Sequence, residues 1–340
     1  MASNKLPRVL SGIQPTADMH IGNYFGAIAN WVALQQTHDC FYCVVDLHAM
    51  TMPYDPVKLR ENTDRMVIDL MACGIDPEKS TLFIQSLVPE HLELCWILAC
   101  VCPYGELRRM TQFKEKSDLL ETSKAEQFVS VGLYTYPVLQ AADILIYNAE
   151  YVPVGKDQEQ HLELSRLLAR RFNNQFGKYF PEPRPLFTET PKVMSLIDPT
   201  LKMSKSLGPR HYVGLFEEEQ SIRDKIRVAV TDSGNLPPGV EMSPGVANLF
   251  ELLRASGKLE QASMFLDDYN AGKIRYSELK EAVANALVEL TQRLRERRDE
   301  ILSDPAAAKV KVLEMTEKAR EIARENLQNV RSLVGLPVRH

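Results

Sequence analysis

The sequence predicts an α/β protein: a doubly wound parallel sheet of Rossmann type with a helical insertion, followed by an all-helical C-terminal domain. Three observations carry this. Short apolar runs alternate with amphipathic segments over the first half of the chain. A helical, irregular stretch interrupts that alternation over about 89–132. Beyond about residue 217 the pattern is helical throughout. Strand–helix alternation favours parallel strands, because each crossover helix returns the chain to the same end of the sheet. The domains are therefore expected at 1–216 and 217–340, and 340 residues give room for both.

The elements follow in order. Arg8-Val9-Leu10-Ser11 reads as the first strand. Ile21, Phe25, Ile28, Trp31 and Val32 fall at helical spacing and predict a helix to Gln35. Phe41 to Asp46 is a buried strand. Asp55-Pro56 opens a helix with a cap and a first-turn proline, and Gly74 ends it. Thr81 to Gln85 is a third strand. After the insertion, Pro137 to Tyr147 is an apolar helix, Tyr151 to Val154 a short strand and Asp157 to Phe172 a helix. Lys192 to Ser195 reads as the last short strand. Helices are then predicted at Ser221–Val230, Val246–Ala255, Lys258–Tyr269, Ser277–Leu302 and Pro305–Val334.

Composition is that of an ordinary globular protein, with 45% hydrophobic and 25% charged residues. No apolar run reaches the ~18–20 residues that span a bilayer, and the N-terminus lacks the apolar core of a secretory signal. A cytoplasmic location without membrane contact is expected. The net charge of −5 does not exclude a nucleic-acid partner, because a local basic face suffices. Arg293, Arg295, Arg297, Arg298, Lys309, Lys311, Lys318, Arg320 and Arg324 cluster in the last two helices; the alternative is a solvated face balanced by glutamates. Cys40 and Cys43 have a C-x2-C spacing, but no second pair follows at zinc-site spacing, so core thiols are expected and no protein metal site.

Two polar loops carry the chemistry. Lys202-Met203-Ser204-Lys205-Ser206 follows the turn-forming Asp198-Pro199-Thr200. Its ammonium and hydroxyl groups suit phosphate oxygens and can stabilise charge that develops on a pyrophosphate leaving group. The loop itself contains no carboxylate to neutralise Lys202 or Lys205. Pro199 and Pro209 frame the loop as a hinge that closes over phosphates. The second loop, Pro15 to Asn23, lies between the first strand and first helix, where doubly wound folds bind phosphate. His20 and Asn23 supply donors one turn apart, and Gly22 permits close approach of a ligand.

In this order, His20-Ile21-Gly22-Asn23 and Lys202–Ser206 resemble the two signature motifs of class I aminoacyl-tRNA synthetases. Ser11 to Thr16, Val45 to Ala49, Met110 to Lys116, Tyr136 to Leu145 and Val152 to Gln158 extend the match. Together they resemble the bacterial and mitochondrial tryptophanyl-tRNA synthetases from about residue 8 to 232, and more weakly to the end.

That resemblance implies the roles. Gln14, Pro15, Thr16, Gly22 and Asn23 would line the ATP site, with Gly155, Lys156, Asp157 and the backbone of Val193 on its adenosine side. Lys202, Met203, Ser204, Lys205 and Ser206 would close over the phosphates, and Lys116 would add a contact. His20, Asn23, Lys116, Lys202 and Lys205 would be the catalytic residues. Asp143 would accept the indole N–H of L-tryptophan, with Tyr136, His48, Gln140 and Gln158 forming the rest of the pocket. Gln140 stands where many relatives carry Met, and Lys156 where the family usually has Glu. Mg2+ would arrive with ATP, held mainly by phosphates. The helical tail would bind the anticodon of tRNA(Trp), and the protein would be a homodimer with no role on DNA. Asp143 has support of its own. It is a lone carboxylate in an apolar helix, an acceptor-only group that complements a donor-only indole. Its alternative is a cap or an arginine partner. A tyrosyl-tRNA synthetase, a small-molecule nucleotidyltransferase and a non-catalytic RNA-binding relative are the other readings of the whole chain.

Overall fold

The computed structural model describes residues 6–15, 18–110, 129–153, 155, 159–187, 191–232 and 242–338. Thr16, Lys116, Lys156, Asp157 and Gln158 lie outside the described residues, as does 111–128 of the insertion.

Five strands form one sheet: β1 (Arg8–Ile13), β2 (Asp39–Val44), β3 (Ser80–Ile84), β4 (Tyr151–Pro153) and β5 (Arg184–Leu186). Their order is β3-β2-β1-β4-β5 and every pairing is parallel. Val9 is opposite both Cys40 and Tyr151, so the chain reverses direction across the sheet at β1. This is the switch point where open α/β sheets leave a crevice at the strands' C-terminal ends.

Strand residues alternate between two cores, as burial on both faces requires. Val9, Cys40, Tyr42, Val44 and Leu82 belong to one apolar cluster, and Leu10, Phe41, Cys43 and Phe83 to the other. The first face is covered by α1 (Ile21–Asn23), a π-helical stretch (Tyr24–Ile28), α2 (Ala29–Leu34) and, beyond the four-residue α3 (Asp46–Ala49), by α4 (Pro56–Ala72). Trp31 stacks on Tyr42 at 4.9 Å, and the Tyr42 hydroxyl donates to Trp31 O at 2.7 Å. Helix α4 starts as its sequence predicts, with Asp55 Oδ1 accepting from the Val57 and Lys58 amides at 2.8 and 3.1 Å. It ends with Gly74 at φ 109°, while Ile75 N–H reaches back to Leu70 O at 3.1 Å. That is a Schellman stop, which a side chain at position 74 would strain.

The second face carries α5 (Glu90–Val101), α6 (Tyr104–Arg108), α7 (Val131–Leu145) and α8 (Glu159–Phe176). The tail contributes α9 (Glu219–Arg227), α10 (Pro244–Ala255), α11 (Leu259–Asn270), α12 (Tyr276–Ser303) and α13 (Pro305–Leu333). These helices pack back on the sheet domain. Val246, Phe250 and Leu287 join the first core, and Ala319, Ala323, Leu327 and Val330 the second.

One predicted strand is corrected. Lys192–Ser195 does not extend the sheet; Met194 makes only an isolated bridge to Lys202, and the fifth strand is Arg184–Leu186. The physical reason is Asn248 on α10. Its side chain accepts from Met194 N at 2.9 Å and donates to Met194 O at 3.0 Å, so one buried amide satisfies the backbone that a neighbouring strand would have paired. The true edge strand contains Pro185, a residue tolerated at a sheet edge and a weak strand signal in sequence.

Candidate active site

The C-terminal ends of the strands deliver the polar residues. β1 leads to Gln14, Pro15 and the His20 loop, β2 to Asp46 and His48, β3 to Gln85 and Ser86, and β4 to Gly155. The first loop enters α1 at His20, whose backbone N–H donates to Asn23 Oδ1 at 3.0 Å. Asn23 is thus tied to the loop that it follows. His20 Nδ1 is buried without a hydrogen-bond partner among the described residues. Burial, then the charges of Lys205 and Lys202, push its imidazole down to about 4, so the ring is neutral near pH 7.

The second loop lies directly against the first. Ile21 N–H donates to Val213 O and Leu215 N–H to Met19 O, each at 3.0 Å. Met203 is buried and its N–H donates to Val193 O at 3.1 Å, which places the backbone of Val193 beneath the loop. A Cβ on Gly22 would stand 2.9 Å from His20 Nδ1 and 3.5 Å from Met203 Cβ. A side chain here would crowd the His20 ring of the same loop, while Met203 of the other loop lies at ordinary contact distance. Ser204 Oγ and Ser206 Oγ are 2.8 Å apart, next to the short 3-10 turn Lys205–Leu207.

A carboxylate absent from the local sequence does reach Lys205. Asp18, from the first loop, has Oδ2 3.6 Å from Lys205 Nζ and Oδ1 2.7 Å from an Arg65 nitrogen. The Asp18 side chain is 63% exposed. Such a pair contributes only ~0–1 kcal/mol, so a phosphate can compete for the lysine. Lys205 also lies over the Tyr212 ring at 5.5 Å, and burial lowers its pKa against the pull of Asp18. Lys202 is exposed.

A second cluster gathers on α7. Tyr136, Gln140 and Asp143 follow one another at i, i+4 and i+7, hence on one helix face. Tyr136 OH lies 2.7 Å from His161 Nε2, and its ring is edge-on to His48 at 6.1 Å. Asp143 is 3% exposed, and each of its oxygens has two contacts. His48 Nε2 reaches Oδ2 at 2.8 Å, His91 Nδ1 reaches Oδ1 at 2.6 Å, and Gln85 Nε2 donates to both at 2.8 and 2.9 Å. Burial opposes its ionisation, but the hydrogen bonds from His48 and His91 prevail and hold its carboxyl well below the usual range.

The structure therefore assembles two groups. His20, Gly22, Asn23, Val193, Met203 and Lys205 meet at one; His48, Tyr136, Gln140 and Asp143 at the other. Gln85, His91 and Asp18 were not singled out by the sequence. Gln85 could have been, as a polar residue ending a buried parallel strand. Among the described residues no group of three or more His, Cys, Asp or Glu side chains is placed to hold a metal ion, and no helix is long and apolar enough to cross a membrane.

The family described as "tRNA synthetases class I (W and Y)" matches residues 2–292. The chain is 47% identical over 348 residues to a protein of Streptomyces avermitilis named tryptophan–tRNA ligase 2, covering 100% of both chains. It is 44% identical to the tryptophan–tRNA ligase of Caldanaerobacter subterraneus subsp. tengcongensis, covering 98% of this chain and 100% of that one. Among solved structures, the tryptophanyl-tRNA synthetase of Campylobacter jejuni complexed with ADP and tryptophan aligns with TM-score 0.82 and 34% identity, covering 97% of this chain and 100% of that chain. The Mycoplasma pneumoniae enzyme aligns with TM-score 0.84 and 34% identity, covering 98% of each. A tyrosyl-tRNA synthetase of Archaeoglobus fulgidus, at 20% identity and TM-score 0.67, shares the fold.

Proposed function

The chain belongs to the class I tRNA synthetases of the tryptophanyl and tyrosyl branch, and from that premise we propose that it is a tryptophan–tRNA ligase. It activates L-tryptophan with ATP to tryptophanyl-adenylate and pyrophosphate, then transfers the tryptophanyl group to the 3′-terminal adenosine of tRNA(Trp). The observation that carries the reading is the direct packing of the two signature loops, with Gly22 against Met203 and Lys205 reaching across to Asp18.

In the first step the tryptophan carboxylate attacks the α-phosphorus of ATP and pyrophosphate leaves. Charge grows on the leaving oxygens. Lys205 and Lys202 can meet that charge, Lys205 by releasing the exposed Asp18. Neutral His20 can hydrogen-bond to a phosphate through a ring N–H without adding charge. In the second step a ribose hydroxyl attacks the adenylate carbonyl and AMP leaves. Both steps depend on positioning and charge stabilisation more than on a protein nucleophile. Gln14, Pro15, Thr16, Asn23, Gly155, Lys156, Asp157, Ser204 and Ser206 are proposed for the ATP site, with Lys116 as a further phosphate contact. Mg2+ would accompany ATP on its phosphates and neutralise part of their charge, and no step is assigned to it.

Asp143, with His48, Tyr136, Gln140 and Gln158, is proposed to bind tryptophan. Helices α9 to α13 are proposed to hold the anticodon, and the protein to act as a cytoplasmic homodimer. Support for a dimer comes from exposed apolar side chains on the outer side of the second layer: Leu92 and Trp96 on α5, Tyr104 on α6 and Val131 on α7. Charging of tRNA(Trp) with tryptophan by the purified protein tests the function. Adenylate formation without transfer to any tRNA would leave a nucleotidyltransferase instead.

A further inference from the structure

Asp143 carries more hydrogen bonds than a lone substrate acceptor requires. A carboxylate offers roughly four lone-pair sites. Here Oδ1 takes His91 Nδ1 at 2.6 Å and Gln85 Nε2 at 2.8 Å, while Oδ2 takes Gln85 Nε2 at 2.9 Å and His48 Nε2 at 2.8 Å. The donors are not equivalent. Gln85 and His91 are both 0% exposed, and each is held from behind. Gln85 Oε1 accepts from Leu47 N–H at 3.2 Å, which fixes which end of the amide points at Asp143. His91 Nε2 lies 2.8 Å from the hydroxyl of Tyr147, itself fully buried. The ionised Asp143 can only accept, so the His91 proton that faces it sits on Nδ1, and the Tyr147 hydroxyl donates to Nε2. His48 has no such anchor: among the described residues its other ring nitrogen makes no hydrogen bond, and the ring stands edge-on to Tyr136 in the proposed pocket.

We propose that Gln85 and His91 are the positioning residues of the amino-acid pocket: they clamp the Asp143 carboxylate, and His48 is the donor that gives up its place on Oδ2 to the ring N–H of the substrate. This rests on the reading of Asp143 as the acceptor for tryptophan. The consequence is selectivity. A clamped carboxylate cannot turn away from a ring that presents lone pairs instead of an N–H, so such an analogue faces a fixed anion. A loosely held aspartate would rotate and tolerate it.

The test compares tryptophan with L-3-benzothienylalanine, in which sulfur replaces the ring N–H, in amino-acid-dependent ATP–pyrophosphate exchange. Tyr147→Phe and Gln85→Met each leave Asp143 in place and conserve bulk. The expected result for both is a KM for tryptophan raised about tenfold and a preference over the sulfur analogue lowered by a similar factor, with KM for ATP unchanged. Asp143→Asn should abolish the preference. Loss of preference in Asp143→Asn with full preference kept in Tyr147→Phe and Gln85→Met overturns the clamp and leaves the acceptor reading standing. Preference that survives Asp143→Asn overturns both. Nitrogen NMR of the histidine rings gives an answer independent of any variant's folding: His91 should carry its proton on Nδ1, and an Nε2–H tautomer contradicts the proposal.

Discussion

His20 shows how much of the proposed catalysis rests on one side chain's surroundings. Its depressed pKa has a sign that can be followed in stability. The unfolded imidazole titrates near 6.5 and the folded one near 4, so the folded state resists protonation. The stabilisation that this represents is complete above 6.5 and is lost as pH falls toward 4. Acid unfolding monitored by circular dichroism should therefore be less steep across that window in His20→Asn than in the wild type. Lys205 is the residue proposed to meet charge on the leaving group. Lys205→Ala should lower the exchange rate by roughly 10²–10³-fold, as loss of a preorganised charge-stabilising group does, with KM for tryptophan unchanged. An unchanged rate would place the lysine outside the reaction. His20, Asn23, Lys202 and Lys205 were legible in the sequence because their motif spacing is distinctive. Gln85 and His91 were not. They reach Asp143 from the turn after β3 and from α5, 58 and 52 residues away in sequence, and no spacing along the chain announces that contact.

Among the elements, local signals located helices well where a cap or stop was written out. Asp55, Pro56 and Gly74 bracket α4 as read, and Pro305 opens α13 beneath Asp304, whose side chain accepts from Ala307 N–H at 3.0 Å. The π-helical stretch Tyr24–Ile28 was not legible, because apolar residues at helical spacing look the same through one wide turn. Nor was the fate of Lys192–Ser195. The run there looks like a strand, but the Asn248 side chain takes the Met194 backbone on one side and the Leu201–Met203 backbone lies on the other, so no sheet strand joins it. Asn248 thus underpins the platform of Val193 and Met194 on which the Lys202 loop rests through Met203 and the Met194–Lys202 bridge. Asn248→Ala leaves two buried backbone groups unpaired and should destabilise the fold by about 1–3 kcal/mol in urea denaturation. It should also raise KM for ATP more than KM for tryptophan. Equal effects on both substrates would mean that the amide supports the fold alone.

On the scale of the whole molecule, the split at residue 216/217 separates strand-bearing from all-helical chain, but not one core from another. Helix α12 meets α4 through Arg298, 2.8 Å from the buried carboxylate of Asp69, and α13 reaches α5 where Arg320 lies 3.2 Å from Glu90. Apolar periodicity predicted these helices and left open what they would cover; the faces turn toward the sheet because both of its sides need covering. The proposed dimer is a claim at this scale too. Trp96 is 72% exposed beside Leu92 one turn away, an apolar pair that a second copy of the chain would cover. Trp96→Glu should shift sedimentation from dimer to monomer while circular dichroism stays unchanged; a dimer that survives the charge places the interface elsewhere. The central claim, that this chain selects tryptophan, is tested most directly by ATP–pyrophosphate exchange with tryptophan and tyrosine as alternative substrates. Exchange dependent on tryptophan, with tyrosine ineffective at the same concentration, is the predicted result. Exchange driven by tyrosine and not by tryptophan would contradict it.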